Sequence, residues 1–324
     1  MQYSVFFNEQ LGRVGFDDLH CVYNCYDVPV DPESGWPLKL PDIEFGPKTL
    51  LLLHFQDFVN IRDGRVLELE KVEAKYGSNS NRVVVTYWNH GLDQVYSGPV
   101  NLIEFSNHNY DICQALSARS AEWLPAMQHT RTRAWQCLNG RTCRHRQRAY
   151  WALRDLPNGI VTYGSEHPLP KWDYSCYRGT ENDDNFVALS WLYGTTAVNI
   201  VTETEYNTAP GIVSEKTLMA FAAGQIPIVI GHAGIVQHCR ELGFDMFDDL
   251  VNTTYDYMPN EVRVEQAVTL NQDLIVGQRD LEPYRERIQA NREHLLEDWP
   301  TIMELRFIRD CERLARDLGL AQTD

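Results

Sequence analysis

The segment spanning residues 198–249 constrains the fold of this chain more than any other part of the sequence. Two apolar runs, 198–202 and 226–230, have the composition of buried strands, and Ser214 is a natural N-cap for a helix between them. A GHAG turn at 231–234 then leads into a further helical pattern. This order of elements predicts a parallel α/β crossover, in which ligands bind at the carboxyl ends of the strands.

The predicted helix start after Ser214 gathers groups that bind an anion. Free backbone N–H groups, the positive helix end and the ammonium of Lys216 converge there. We therefore predict a site for a diphosphate, with Glu215 accepting hydrogen bonds from ribose hydroxyls. An ordinary capped surface helix is the alternative, because short motifs of this kind are common.

The neighbouring residues match a known pattern. The sequence SEKT at 214–217, followed by AAGQIPIVIG at 222–231, resembles the donor-binding segment of fucosyltransferase-type glycosyltransferases. The continuation, RELGF at 240–244 and FDD at 247–249, is similar to glycosyltransferase-like proteins of bacteriophages and other viruses. The resemblance covers about 50 residues and implies a two-domain (GT-B type) glycosyltransferase that uses a nucleotide-sugar as co-substrate, with no further cofactor.

A second feature is a local concentration of positive charge in a chain whose formal net charge is −16. Seven arginines with no intervening acidic residue occupy this stretch: Arg131, Arg133, Arg141, Arg144, Arg146, Arg148 and Arg154. The resemblance implies a donor-binding Arg on the first helix of the donor domain. Arg146 matches best, and Arg144 and Arg148 remain candidates. The alternatives for the cluster are the solvated face of a helix and a surface that binds nucleic acid. We assign Arg131 and Arg133 to the nucleic-acid surface.

The pattern along the chain predicts three parts. Strand candidates at 3–7, 49–55, 82–88 and 100–105, with helical patterns at 66–76 and 111–124, indicate a Rossmann-like acceptor domain over residues 1–130. The donor domain, also Rossmann-like, follows over 131–280. Apolar residues at near-helical spacing, interrupted by Pro300, predict C-terminal helices over 281–324 that pack across the domain junction.

The predicted reaction needs no metal. The metal-dependent type of glycosyltransferase carries an Asp-x-Asp signature, and this chain has none. Leaving-group charge would be neutralised by Arg146, Lys216 and the helix dipole. The family inverts the anomeric centre, which implies a base in the amino-terminal domain. Candidates at strand ends are Asp57, His90 and Asp93, and each can equally be a structural loop residue.

The sequence does not identify the sugar, the nucleotide base of the donor or the acceptor. Thr202 and Glu203, at the end of the first strand, are candidates for reading the donor. The resemblance to phage proteins slightly favours hydroxymethylated pyrimidines in DNA as acceptor, although the acidic balance repels DNA elsewhere on the surface. A glycan or protein acceptor is the alternative. A further alternative is a protein that binds a nucleotide without turnover.

Composition bounds the setting. At 324 residues, with 44% hydrophobic and 23% charged residues, the chain is long enough for two globular domains. It lacks an 18-residue apolar run and the pattern of a signal peptide, so we expect a cytoplasmic protein without a membrane partner, in a host cytoplasm if phage-encoded. Eight scattered cysteines without a Cys-x-x-Cys pair favour reduced thiols over a metal site.

Overall fold

The computed structural model describes residues 18–22, 40–46, 49–54, 61–62, 65–87, 92, 96–128, 130–164, 166, 182–204, 206–207 and 212–319. Within these residues the protein is α/β with two separate four-stranded parallel sheets. The chain divides into two compact units. The first comprises residues 1–110 and 301–324, and the second comprises residues 111–300.

The sheet of the first unit has the strand order β1-β2-β5-β6. Its strands and the short antiparallel pair β3 and β4 are Asp18–Val22 (β1), Thr49–His54 (β2), Ile61–Arg62 (β3), Arg65–Val66 (β4), Val83–Tyr87 (β5) and Asn101–Glu104 (β6). Helix α1 spans Leu67–Tyr76. The two central strands are runs of Leu and Val that are almost completely buried. Such continuous apolar runs are typical of parallel strands covered on both faces.

The second unit contains a sheet of four strands and most of the helices. The strands are Arg133–Cys137 (β7), Gly159–Val161 (β8), Thr196–Thr202 (β9) and Ile226–Ile230 (β10). The helices from α2 to the carboxyl terminus are Asn107–Ala118 (α2), Ser120–Met127 (α3), Arg144–Leu153 (α4), Asn182–Thr195 (α5), Glu215–Ala222 (α6), Ile235–Glu241 (α7), Arg263–Leu270 (α8), Gln272–Ile275 (α9), Arg285–Glu293 (α10) and Trp299–Asp317 (α11).

The strand order of the second sheet creates a switch point. The spatial order is β10-β9-β7-β8, so the chain continues from β7 toward one edge and from β9 toward the other. Neighbouring loops diverge at the carboxyl ends of β7 and β9, and this divergence leaves a crevice. In doubly wound α/β sheets such a crevice is where ligands bind.

Most predicted elements of the second unit are present. The strand at 226–230 and the helix after Ser214 are confirmed, and the strand predicted at 198–202 begins earlier, at Thr196. In the first unit, the strands predicted at 49–55, 82–88 and 100–105 are each shorter by one or two residues. The strand predicted at 3–7 lies outside the described residues. Strand β8 and helix α5 were missed, because β8 has only three residues and α5 is apolar on most of its sides.

The boundary between the units differs from the predicted one at 130/131. Residues 111–127 belong to the second unit, where Trp123 of α3 packs edge-to-face on Phe186 of α5, with ring centroids 5.3 Å apart. Gly194 permits this close approach. A Cβ at that position would lie 2.0 Å from the main-chain oxygen of Ala126. The predicted boundary therefore falls between a packed helix, which ends at Met127, and strand β7, which begins at Arg133.

The predicted C-terminal segment at 281–324 does not form a part of its own. Residues up to Pro300 pack within the second unit, as in the contact of Trp299 with Phe244, and those from Thr301 belong to the first. Pro300 does not end the helix. It follows a π-helical turn at His294–Asp298, which accommodates the proline ring against the carbonyl four residues earlier.

We expect Gly194→Ala to lower the free energy of unfolding by about 2 kcal/mol, because overpacking against backbone outweighs the gain of about 1 kcal/mol that alanine normally brings to a helix. Ser190→Ala in the same helix is the matched control and should change stability by less than about 0.5 kcal/mol. Urea unfolding followed by circular dichroism measures both. Equal stability of the Gly194 variant and the wild type would show that α3 and α5 are not in close contact.

Candidate functional site

Buried polar side chains join the carboxyl ends of three strands in the second sheet. The hydroxyl of Thr202, at the end of β9, donates to Oδ1 of Asn139, which follows β7. The Asn139 amide nitrogen Nδ2 donates to the Thr162 carbonyl after β8, at 3.1 Å, and the Asn139 backbone N–H donates to the Thr162 hydroxyl, at 2.8 Å. These bonds fix the loops on both sides of the switch point.

A pocket of about 470 Å³ opens beside this network, at the carboxyl edge of the sheet. We call it the edge pocket. It is lined from the first turns of α4, from the loop after β9 and from the segment before α8 by Cys143, Arg144, His145, Arg148, Thr204, Tyr206, Asn207, Asn260 and Glu261. All of these residues belong to the second unit. The pocket thus lies where the strand order places a ligand.

His145 forms the inner wall of the edge pocket. Its Nε2 lies 2.9 Å from the main-chain oxygen of Glu203, and its ring stacks on Tyr206 with centroids 4.7 Å apart. Burial lowers the pKa of His145 to about 4, although the bond to Glu203 opposes the shift. The imidazole is therefore neutral at pH 7, and Nε2 carries the proton because it faces a carbonyl.

The opposite wall is held by Asn260. Its main-chain oxygen accepts hydrogen bonds from the Tyr206 hydroxyl, at 2.6 Å, and from Nη1 of Arg148, at 2.7 Å. Arg148 also pairs with the carboxylate of Glu265 on α8. Arg148, a candidate donor-binding residue, is thus already paired within the protein, and its remaining role is to shape the pocket.

Glu203 occupies the start of helix α6. Its buried carboxylate accepts from the backbone N–H of Ser214, at 3.1 Å, and from the hydroxyl of Thr217, at 2.5 Å. The N-cap prediction is confirmed, since Ser214 Oγ accepts from the Lys216 N–H at 3.4 Å. A carboxylate of the protein thus already binds donors at this helix start, and the binding of a diphosphate there stays a prediction.

Lys216 reaches back toward the edge pocket. Its ammonium donates to the hydroxyls of Thr204, at 3.2 Å, and Ser214, at 3.3 Å, and it forms an ion pair with Glu215. Thr204 lines the pocket. The predicted Glu215-Lys216 pair therefore lies next to the pocket wall. The hydroxyl of Thr204 lies between the Lys216 ammonium and the pocket.

Arg146 is a buried cation without a counter-ion in the part of the chain that the structure describes. Its side chain is 4% exposed, and its recorded hydrogen bond runs from Nη2 to the Thr202 carbonyl at 3.4 Å. Its Nε has no partner, and none of the described carboxylates forms an ion pair with it. A guanidinium buried in this way is costly to the fold. Its position at the carboxyl end of β9 points to an anionic ligand.

The seven arginines of residues 131–154 do not form one basic face. The Arg131 guanidinium is buried and donates to the carbonyls of Tyr193, Thr196, Ala223 and Gly224. Burial lowers its pKa to about 10. Arg133 makes a 3.4 Å contact with the Thr195 hydroxyl. These contacts give Arg131 a structural role in place of the expected DNA contact. The exposed members are Arg141, Arg144 and Arg154.

The structure brings the predicted donor-binding residues to one edge of one sheet. Arg144 lines the edge pocket, and Lys216 donates to the pocket-lining Thr204. The others lie at the same edge of the sheet without lining the pocket: Arg146, Thr202, Glu203, Ser214 and Glu215. The candidate bases Asp57, His90 and Asp93 lie outside the described residues. Sequence reasoning missed His145, Asn260 and Glu261. His145 stands in the sequence between the candidates Arg144 and Arg146, and this position was a signal for it. Asn260 and Glu261 gave no such signal, because they follow Tyr206 by more than fifty residues.

The fold defines an α/β protein with parallel sheets and with a pocket at the carboxyl edge of the second sheet. Comparison of the chain with protein-family models, with curated proteins and with solved structures found no match. Among the helices in the described ranges, none is long and apolar enough to cross a membrane. No cluster of three metal-binding side chains occurs in the same part of the chain.

We expect Arg146→Met to leave the free energy of unfolding of the ligand-free protein within about 1 kcal/mol of the wild type, or above it, because the change removes an uncompensated buried charge. Binding of inorganic pyrophosphate, measured by calorimetry, should be lost.

Arg263→Met is the matched control. Arg263 is equally buried, but it donates to the carbonyls of Met258 and Gly231, and this variant should lose about 3 kcal/mol. Similar destabilisation of both variants would contradict the assignment of Arg146 to a ligand.

Stability should depend on pH through His145. The unfolded chain takes up a proton near the ordinary pKa of 6.5, whereas the folded protein takes it up only near 4. The stabilising contribution is therefore complete above pH 6.5 and decreases as pH falls toward 4. Between pH 6.5 and 5 the wild type should lose about 2 kcal/mol more than His145→Phe, which retains a ring against Tyr206. Urea unfolding at both pH values measures this difference, and parallel pH profiles would refute it.

Proposed function

We propose that the protein is a metal-independent glycosyltransferase and that the edge pocket binds the diphosphate and nucleoside of a nucleotide-sugar. The observation that carries the proposal is the buried Arg146 at the switch point, which has no ion-pair partner among the described residues and lies at the same sheet edge as a pocket of the size of a small ligand. The resemblance of residues 214–231 to a donor-binding segment supplies the class of ligand.

The charges around the edge pocket suit a diphosphate leaving group. Arg144 is exposed on its wall, and Lys216 lies beside Thr204. Together with Arg146 they bring three cations to this edge of the sheet, whereas Glu261 is the carboxylate among the described residues that line the pocket. Fixed cations stabilise the negative charge that develops on a departing nucleoside diphosphate. Arg146 and Lys216 therefore have the role that a divalent ion has in other glycosyltransferases.

Glu203 has a supporting role in this proposal. Its carboxylate is consumed by Ser214 and Thr217, so it does not contact the donor. It holds the start of α6, and through its carbonyl it holds His145, in the positions that shape the pocket. Thr202 likewise acts through Asn139. The contacts to the donor are assigned to Arg144, Arg146 and Lys216.

For the acceptor we propose hydroxymethylated pyrimidines in DNA. The supporting observation is the outer face of α4, where Trp151 is 53% exposed and the Arg154 guanidinium lies 3.9 Å from the centre of its ring. An exposed aromatic ring next to arginines suits stacking on bases and contacts to phosphates. Arg141 and Arg144 add positive charge nearby in sequence. A glycan or protein acceptor is the alternative outcome of the test.

Lys216→Ala should reduce transfer from the preferred nucleotide-sugar by about 10²–10³-fold, because one stabilising cation at the leaving group is lost. The preferred donor is first found with a thermal-shift panel of UDP, GDP, ADP and CMP sugars. Transfer or slow donor hydrolysis is then measured with excess EDTA present. Arg285→Ala, which removes an exposed cation elsewhere in the second unit, should leave the rate unchanged.

The outcomes separate the competing functions. Sugar release that survives EDTA and falls in the Lys216 variant supports the proposal. Nucleotide binding without any release would assign the protein to a non-catalytic nucleotide-binding class, and absence of binding across the panel would refute both. Mass spectrometry of nucleosides from DNA that contains 5-hydroxymethylpyrimidines tests the acceptor. If the donor is hydrolysed but no sugar adduct forms on DNA, a glycan or protein is the acceptor.

A further inference from the structure

The residues that line the edge pocket differ in how far their side chains are used within the protein. His145, Arg148 and Tyr206 each bind a main-chain oxygen, as described above. Three lining residues are exposed and carry a charge or an amide: Arg144, Asn207 and Glu261. A ligand in the pocket therefore meets one cation, one amide and one carboxylate that the fold leaves accessible.

The main chain at Glu261 is held in place by α4 and by the loop after β9. Nη2 of Arg148 donates to the Glu261 carbonyl, and Nη1 donates to the Asn260 carbonyl at 2.7 Å. The Tyr206 hydroxyl donates to the same Asn260 oxygen, at 2.6 Å. These bonds fix the backbone that carries the Glu261 side chain, so a contact made by its carboxylate requires little ordering of the protein.

The carboxylate of Glu261 has no partner inside the described part of the chain. It forms neither a hydrogen bond nor an ion pair there, whereas the nearby carboxylate of Glu265 is paired with Arg148. A carboxylate accepts hydrogen bonds and donates none, so it attracts hydroxyl or amino groups of a ligand and repels phosphate oxygens. The part of a ligand that lies against Glu261 is therefore a hydrogen-bond donor.

The ribose of a nucleotide supplies donors in the required place. Its 2′- and 3′-hydroxyls are neighbours, and together they donate two hydrogen bonds to one carboxylate. They are also close to the phosphates, which are assigned above to Arg144 and Arg146. Glu215, the residue predicted from the sequence to bind ribose, forms an ion pair with Lys216 and is not among the lining residues. Glu261 is thus better placed for this contact.

We propose that Glu261 binds the ribose of the nucleotide and makes the edge pocket selective for ribonucleotides over 2′-deoxyribonucleotides. Its carboxylate accepts hydrogen bonds from the two ribose hydroxyls. The Asn207 amide oxygen accepts from Asn260 at 3.1 Å, which leaves the Asn207 amide nitrogen as a donor to a ribose oxygen. A site built to bind a hydroxyl discriminates against the analogue that lacks it. The inference rests on the proposed function, because it takes a nucleotide as the ligand.

The first experiment measures the affinities of UDP, GDP and ADP and of their 2′-deoxy forms by calorimetry. For the diphosphate that binds most tightly, the wild type should prefer the ribose form by about ten-fold or more. Glu261→Ala should lower this ratio to about two-fold or less, mainly by weakening the binding of the ribose form. Glu286→Ala, which removes an exposed carboxylate from α10, is the matched control and should keep the wild-type ratio.

A second experiment separates the ribose contact from a general role in shaping the pocket. Glu261→Ala should bind inorganic pyrophosphate as tightly as the wild type or more tightly, because a negative charge near the phosphates is removed. Arg144→Ala should weaken pyrophosphate binding by about ten-fold and keep the preference for ribose. Weaker pyrophosphate binding in Glu261→Ala would assign Glu261 to the structure of the pocket and would overturn the inference.

The remaining outcomes distinguish the inference from the proposed function. Equal affinity of the wild type for the ribose and 2′-deoxy forms would overturn the inference alone. A preference that persists in Glu261→Ala and is lost in Glu215→Gln would return ribose binding to Glu215, with the same consequence. If Glu261→Ala changes the choice among bases while the ribose preference stays unchanged, Glu261 contacts the base, and the inference is also overturned. Binding of none of the diphosphates would overturn both the inference and the proposed function.

Discussion

The second unit depends on the hydrogen bonds of one buried residue, Glu203. Its side chain holds the start of α6 through Ser214 and Thr217, its carbonyl holds His145 of α4, and its N–H donates to the carbonyl of Ile230 at the end of β10. One residue thus ties two helices and two strands together at the edge where the sheet changes direction. A buried carboxylate is tolerated only when donors surround it, and here those donors include the Ser214 N–H and the Thr217 hydroxyl at the start of α6.

Much of the second unit could be predicted from the sequence, because its central strands are long apolar runs and Ser214 is a strong helix cap. The positions of Arg146, Lys216 and Glu203 at one edge followed from parallel topology. The partners of these residues could not be predicted. The sequence around Glu203 does not show whether its carboxylate accepts a hydrogen bond from Ser214 or faces a ligand. Asn260 reaches the pocket only through tertiary folding.

The arginines of residues 131–154 show why charge counted along a sequence differs from charge on a surface. Arg131 is enclosed by four carbonyls at helix ends, Arg148 is paired with Glu265, and Arg146 is buried. The helix carbonyls that Arg131 satisfies carry partial negative charge, so a cation is favourable there without any external partner. Several of these arginines therefore form contacts inside the protein, and the basic surface is smaller than the sequence indicates.

The first unit is built from two distant parts of the chain. Phe307, on the last helix, packs on Phe105 with ring centroids 5.3 Å apart, and Tyr110 is hydrogen-bonded to Glu304. During synthesis on a ribosome the strands of this unit emerge first, but the helix that packs on Phe105 emerges only after the whole second unit. The second unit, which is one continuous segment, can therefore fold as an insertion in the first. The apolar surface around Phe105 stays uncovered until the last part of the chain has been made.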